Sequence, residues 1–418
     1  MFKLTQTTFL DSEPNEEVTW LPNKASAEAR LQAFVKRAGT HYARTRNFDF
    51  GPQKRSNISA LSPWIRHRLI LEEDVLREVL ARHSFSASEK FVQEVFWRGY
   101  FKGWLEHRPE VWRCYRLAVA ELVAKLETDA SLARRYDEAV SGRTGIACFD
   151  AWADELVEIG YLHNHVRMWF ASIWIFTLKL PWELGADFFY RHLLDGDPAS
   201  NTCSWRWVGG LHTKGKTYLA RASNIEKYTD GRFNPSGQLA PEAPPLSETD
   251  LPDPVPPRLT DEDLPSDRYG LLITEEDCAL ESLGLPVPPK TVFALQDPTP
   301  RSVLPVSEAV QAFAPAAVAD AASRASHHFE QTVSLLQNSD WASALQEQIE
   351  AAGLDAIVTA RLPIGPVQRR LRRAAKSLSV PLIEITRPYD RFTWPHTRRG
   401  FFGLKKKIPN ILSQFETG

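Results

Sequence analysis

Glu94, Trp97 and Arg98 stand at i, i+3 and i+4 in a stretch whose apolar residues recur every three or four positions. One helical face would therefore present a carboxylate, an indole and a guanidinium together. The same spacing returns at Asn164, Arg167 and Met168 in LHNHVRMW. The chain then runs into LDGDPASNTCSWRW, where Asp195, Asp197 and Asn201 precede Trp205 and Trp207. A helix that only filled a core would be apolar here, whereas these carry polar residues of matching size and reach. A third stretch is SNISALSPW, residues 56–64. Its serines before Pro63 suit a loop entering a helix, with hydroxyls capping the free amides. Hydroxyls and amides so placed make an anion site for a phosphate or pyrophosphate. For any single tryptophan, core packing is the competing reading, and for an arginine beside two aspartates it is a structural ion pair. The conjunction of several such helices weighs against both.

The elements that must position these groups divide the chain in two. Residues 1–240 hold most of the tryptophans and read as helices, as in ALSPWIRHRLILEEDVLREVLARH and FVQEVFWRGYFKGWLEHRP. Residues 241–267 carry eight prolines and eight acids in 27 positions, the composition of an extended, polyproline-like linker. Residues 268–418 alternate strand-length runs (269–274, 291–295, 356–360 and 381–385) with helical stretches over 308–336, 340–352 and 365–378. That alternation predicts a small α/β domain with a parallel sheet. The fold class is thus mainly α, a helical domain followed by a small α/β one.

Lys and Arg number 50 against 52 Asp and Glu, a net charge of −2, which excludes a uniformly basic nucleic-acid coat but not a local basic groove. Residues 361–418 are the basic region, with thirteen Lys or Arg against three acids, ending in RRGFFGLKKKIP. This is either a solvated face or a phosphate-contacting patch, since aromatics interleave the charges. Cys114, Cys148, Cys203 and Cys278 lie far apart, which argues against a disulfide framework or a metal site. The acidic start lacks a secretory apolar run, and the most apolar stretch, 168–182, is short for a bilayer. The expectation is a cytoplasmic monomer with no metal and no membrane contact.

From Tyr42 to Gln238 the chain resembles the FAD-binding domain of the photolyase/cryptochrome family. HYARTRNF, SALSPW, EVFWRGYF, GRTGIACFDA, LHNHVRM and DGDPASNTCSWRW follow in the family's order with near-family spacing. The resemblance implies FAD, its phosphates held by Tyr42 and by Ser59, Ala60, Leu61 and Ser62; Ile58 stands where the family usually has Thr. It places Arg98, Arg167 and Asn164 at the cofactor, Arg167 paired with Asp195, Asp197 at the ribose or ring edge, and Asn201 facing the flavin N5. Toward substrate it implies Glu94, Trp97, Asn164, Met168 and Trp207, the set of cyclobutane pyrimidine dimer enzymes, without the histidines that (6-4) enzymes carry at the Asn164 and Met168 positions.

Trp205 and Trp182 match two members of the family's electron relay; the outer one is open among Trp152, Trp169 and Trp174. The α/β part follows the FAD domain rather than preceding it. That order resembles the small, topologically distinct photolyases that act on single-stranded DNA. The implied function is light-driven repair of cyclobutane pyrimidine dimers, with Glu94 and Asn201 in catalytic roles. The alternative is a cryptochrome-like blue-light photoreceptor that binds FAD and signals without repair.

Overall fold

In the computed structural model, which describes residues 17–257, 259, 267–296 and 301–416, the first half of the chain is helical. The acidic start, residues 1–16, and linker residues 258 and 260–266 lie outside the described residues. The longest helix of this half, Phe85–Glu106, opens where the Ser84 hydroxyl accepts from the Ala87 amide (3.3 Å). It buries Phe91, Val92, Val95 and Phe96 and leaves Glu94, Trp97 and Arg98 partly open. Helix Asn164–Ser172 starts at His163, whose ring accepts from the His165 amide (3.1 Å). Burial lowers the His163 pKa to about 4, which keeps that nitrogen free to accept.

Two turns are wound wider than an α-helix. In Ile173–Thr177 the Leu178 amide donates to Ile173 O (2.9 Å), and in Ala199–Cys203 the Ser204 amide donates to Ala199 O (2.9 Å). Such π-turns insert one residue per turn and re-aim the side chains they carry. Here the second carries Asn201.

Among the described residues, the second half holds five parallel strands: β1 Tyr269–Ile273, β2 Thr291–Leu295, β3 Val333–Leu336, β4 Ala356–Ala360 and β5 Leu382–Ile385, in the order β3-β2-β1-β4-β5. β1 is buried on both faces. Leu271 and Ile273 join the core of the helical half, and Leu272 joins a smaller cluster with Trp341, Leu345 and Leu371. The stretch 308–336, expected as helix, is helical only over Glu308–Phe329. Glu330, at φ +53°, closes it, and β3 then pairs with β2. A strand of four residues is too short to show its period of two beside a long helix.

Strand order reverses between β1 and β4, and the loops at their carboxyl ends dock on the helical half. Glu276 takes both Arg66 Nη atoms at 2.8 Å, and Asp277 takes Arg387 (2.5 and 2.7 Å) and Arg68 (3.4 Å). Glu106 accepts from Arg361 (3.2 Å) and from the Ile364 amide (2.7 Å). The crevice that an open sheet usually offers a ligand is filled here by side chains of the other half.

The described part of the linker, residues 241–257, is extended but tied down. The Leu246 amide donates to Gly209 O (2.9 Å), the Val255 amide to His107 O (3.0 Å), and Glu248 pairs with both Nη atoms of Arg206. Residues after β5, expected within the α/β part, return to the helical half. Tyr389 donates to Val95 O (3.1 Å), and Tyr389 and Trp394 pack on Gly99 and Gly103. A Cβ on either glycine would lie 2.7 Å from those side chains, so only glycine admits them. Among the described residues, no helix is long and apolar enough to cross a membrane.

Candidate functional site

A cavity of about 660 Å3 opens between helices Phe85–Glu106 and Asn164–Ser172, the turn Ala199–Cys203 and the loop before Pro63. That volume lies within the range of small-molecule and cofactor sites. The structure brings Tyr42, Ser59, Ala60, Leu61, Ser62, Glu94, Trp97, Arg98, Asn164, Arg167, Met168, Asp195, Asn201, Trp205 and Trp207 into its lining. Asp197 and Trp182 are placed outside it.

An ion-pair network forms one wall. Asp195 Oδ2 meets Arg167 Nη1 at 2.9 Å and Arg98 Nη2 at 3.5 Å, and Arg98 Nη1 meets Asp197 Oδ2 at 2.8 Å. Burial pushes the Asp195 carboxyl up, but the Arg167 and Arg98 guanidiniums more than offset it and hold it below its ordinary value. Asp197 is likewise held low against burial, by Arg98 and Lys102. Its Oδ1 takes the amides of Ala199 (2.8 Å) and Ser200 (2.6 Å), so Asp197 ties Arg98 to the π-turn rather than facing the cavity. Asn201 is fixed at both ends: Oδ1 accepts from Arg167 Nη1 (3.1 Å) and Nδ2 donates to Asp195 O. Asp195 Oδ1 is buried and has no hydrogen-bond partner among the described residues.

The serine loop forms a second wall. Its hydroxyls do not cap a helix as expected: helix Ser62–Arg66 starts at Leu61 with no side-chain cap. Instead the loop is drawn back by its carbonyls. Arg30 donates to Ser59 O (2.7 Å), Ile58 O (2.7 Å) and Arg55 O (2.9 Å), and Trp20 Nε1 donates to Ala60 O (2.8 Å). In a trans peptide the N–H points opposite to the C=O. The amides of Ser59, Ala60 and Leu61 are therefore turned away from Arg30 and Trp20. Ala60 takes a left-handed φ of +52° in this bend, and Ser59 and Ser62 remain half-buried while Ala60 and Leu61 are buried. Arg30 carried no sequence signal, because a guanidinium that binds carbonyls has no characteristic spacing from its loop.

Near the mouth, Glu94 pairs with Arg46, a partner the helical spacing did not point to. Burial raises the Glu94 pKa and Arg46 opposes it. Trp97 stacks on Phe401 with centroids 3.7 Å apart, and Trp207 on Tyr218 at 5.5 Å. Deeper in, Trp205 stands edge-on to Trp174 (6.2 Å), and Trp174 to Tyr136 (6.1 Å). Gly185 lets the indoles meet, since a Cβ there would lie 2.5 Å from Trp205 and 2.8 Å from Trp174. Trp182 is buried beside Tyr115 (5.7 Å), and Trp152 and Trp169 stack on each other (5.6 Å).

Residues 91–241 match the family model described as the FAD binding domain of DNA photolyase. The chain is 29% identical over 224 residues to a deoxyribodipyrimidine photo-lyase of Synechococcus sp., covering 50% of this chain and 43% of the relative. It is 30% identical over 234 residues to that of Thermus thermophilus, covering 55% and 53%. A cryptochrome DASH of Idiomarina loihiensis is 28% identical over 209 residues, covering 48% and 43%. The chain thus spans about half the length of the curated relatives it matches.

The donor set fits FAD. Asp195 Oδ1 offers a buried acceptor to a ligand N–H or O–H, Arg98 and Arg167 supply positive charge, and the serine loop supplies hydroxyls and amides for a pyrophosphate. The match of residues 91–241 to the FAD binding domain of DNA photolyase, together with this donor set, indicates that the chain binds FAD.

Proposed function

We propose that this cavity takes a cyclobutane pyrimidine dimer flipped out of DNA beside FAD, and that the protein splits the dimer in light. The observation that supports this reading is the convergence, on one cavity, of Glu94, Trp97, Asn164, Met168 and Trp207 with Arg98, Arg167, Asp195 and Asn201. FAD, held by Arg98, Arg167, Asp195 and the serine loop, would when reduced supply the light-driven electron-transfer chemistry. The chain's residues bind, orient and tune. Trp97 and Trp207, each backed by an aromatic ring, give two flat apolar walls for a dinucleotide. Asn164 meets a base edge.

Glu94 holds the dimer by hydrogen bonding, and its pairing with Arg46 fixes the carboxylate without using all of its acceptor sites. Asn201, held at both ends, would present bound FAD with an amide, which supplies no proton. Trp205 would relay electrons toward bound FAD, and the ring contacts favour Trp174 and Tyr136 as its outward path beside the expected Trp182. Trp205→Phe should slow photoreduction under steady light with a thiol, while chemically reduced protein still repairs. Equal photoreduction would mean that electrons enter elsewhere.

The substrate is a cyclobutane dimer in DNA, with single strands preferred. Extruding a dimer from duplex costs a few kcal/mol, roughly, which a single strand largely spares. The test is illumination of the reduced protein with matched single- and double-stranded substrates carrying either lesion. Cyclobutane dimers should disappear, faster from the single strand, and (6-4) lesions should persist, because no histidine stands at 164 or 168 to donate a proton. Measurable (6-4) repair contradicts the lesion assignment, and equal rates on both strand states contradict the preference.

A further inference from the structure

Phe402 is 76% exposed, the most exposed large apolar side chain among the described residues, yet it lines the cavity whose other walls come from residues 42–208. Its position is built rather than incidental. Helix Phe401–Lys405 inserts Phe401 and Leu404, buried, against the helical half, and Phe401 stacks on Trp97. Lys405 closes the other side by pairing with Glu89 (3.2 Å), and Arg108 donates to Arg398 O (2.8 Å). Three anchors thus hold the turn that carries Phe402 while its own ring stays in solvent. Exposing a phenyl ring forfeits about 1.5–3 kcal/mol of burial, and here a rigid frame keeps it exposed. Arg398, Arg399, Lys406 and Lys407 flank it in the sequence, all exposed.

An aromatic face at the rim of a cavity, set among exposed cations, is the pattern that stacks an unpaired base while phosphates meet the charges. We propose that Phe402 is a stacking platform for the unpaired base next to the one held in the cavity, with the cations around it contacting the flanking phosphates. The proposal rests on the reading of the cavity as a dimer site, but the platform itself meets an ordinary base. It therefore binds damaged and undamaged single strands alike.

The test uses the FAD-loaded protein in the dark, with three probes: a short single-stranded oligonucleotide carrying one central thymine dimer, its undamaged twin, and the isolated dimer dinucleotide. Phe402→Ala should weaken both oligonucleotides about tenfold, the loss of one base–aromatic stack, and leave the dinucleotide within about twofold. Phe402→Trp should restore binding. The salt dependence should not change in Phe402→Ala, since no counterion release is lost, and should flatten in Arg398→Gln/Arg399→Gln. Unchanged affinity for both oligonucleotides, or an equal loss on the dinucleotide, would overturn the platform. If the wild-type protein instead binds damaged and undamaged strands equally and ignores the dinucleotide, the dimer reading fails. The undamaged strand still decides the platform in that case.

Discussion

Asp195→Ala is expected to strip the protein of FAD. The carboxylate is 1% exposed and answers two guanidiniums, Arg167 at 2.9 Å and Arg98 at 3.5 Å. Removing one member of a buried pair strands the other charge, at about 3–5 kcal/mol. Here the stranded cation is Arg167, which orients Asn201, while Arg98 keeps Asp197 at 2.8 Å. The flavin-to-protein ratio after purification, read from the visible absorption band, should fall well below that of the wild type. Asp195→Asn, which keeps the volume and one acceptor, should retain fold and lose flavin only partly. A folded Asp195→Ala protein with full flavin content would remove Asp195 from the cofactor site.

Asp277→Ala should destabilise the whole chain, not the sheet by itself. Asp277 holds Arg387 through both carboxylate oxygens and reaches Arg68, which also pairs with Asp390 (2.7 Å). Burial raises its pKa, but Arg387 and Arg68 more than offset this and set it below the ordinary carboxylate value. The folded state therefore binds a proton there less readily than the unfolded one. Its contribution is complete above the unfolded pKa and fades as pH falls through the folded value. Loss of the side chain leaves two buried guanidiniums short of a partner, again about 3–5 kcal/mol.

One apolar cluster runs from the tryptophan-rich helices into β1, β2 and β4, so secondary structure and flavin release should melt together, at a lower temperature. Two separate transitions, or a shift under about 1 kcal/mol as for an exposed pair, would mean that this contact does not couple the halves.

The cavity was legible in the sequence because its chemistry lies at helical spacing. Glu94 with Arg98, and Asn164 with Arg167 and Met168, could be read as single faces, and those faces do meet. What escaped was long-range or irregular. Arg30 reaches its loop through carbonyls, which carry no residue-type signal, so the hydroxyls of SNISALSPW were read as caps when the loop is held from behind. Phe401 and Phe402 were visible only as aromatics among charges, since nothing local says that this segment crosses back to Gly99 and Gly103. The π-turn at Asn201 leaves no period to detect, because one inserted residue changes the aim of a side chain without changing composition. β3 vanished into the helix before it for the same reason of length.

Photochemistry on a dimer is what this cavity is proposed to perform. Its most direct test is to reduce the FAD-loaded protein, add a single-stranded oligonucleotide carrying one thymine cyclobutane dimer, and follow the restored thymines by chromatography in light and in darkness. The dimer should be lost in light only, with Glu94→Ala lowering the yield per photon more than it lowers affinity, because the charge that Glu94 meets appears only after electron transfer. FAD fully bound and photoreduced, with the dimer intact after illumination, would contradict repair and leave the photoreceptor reading in its place.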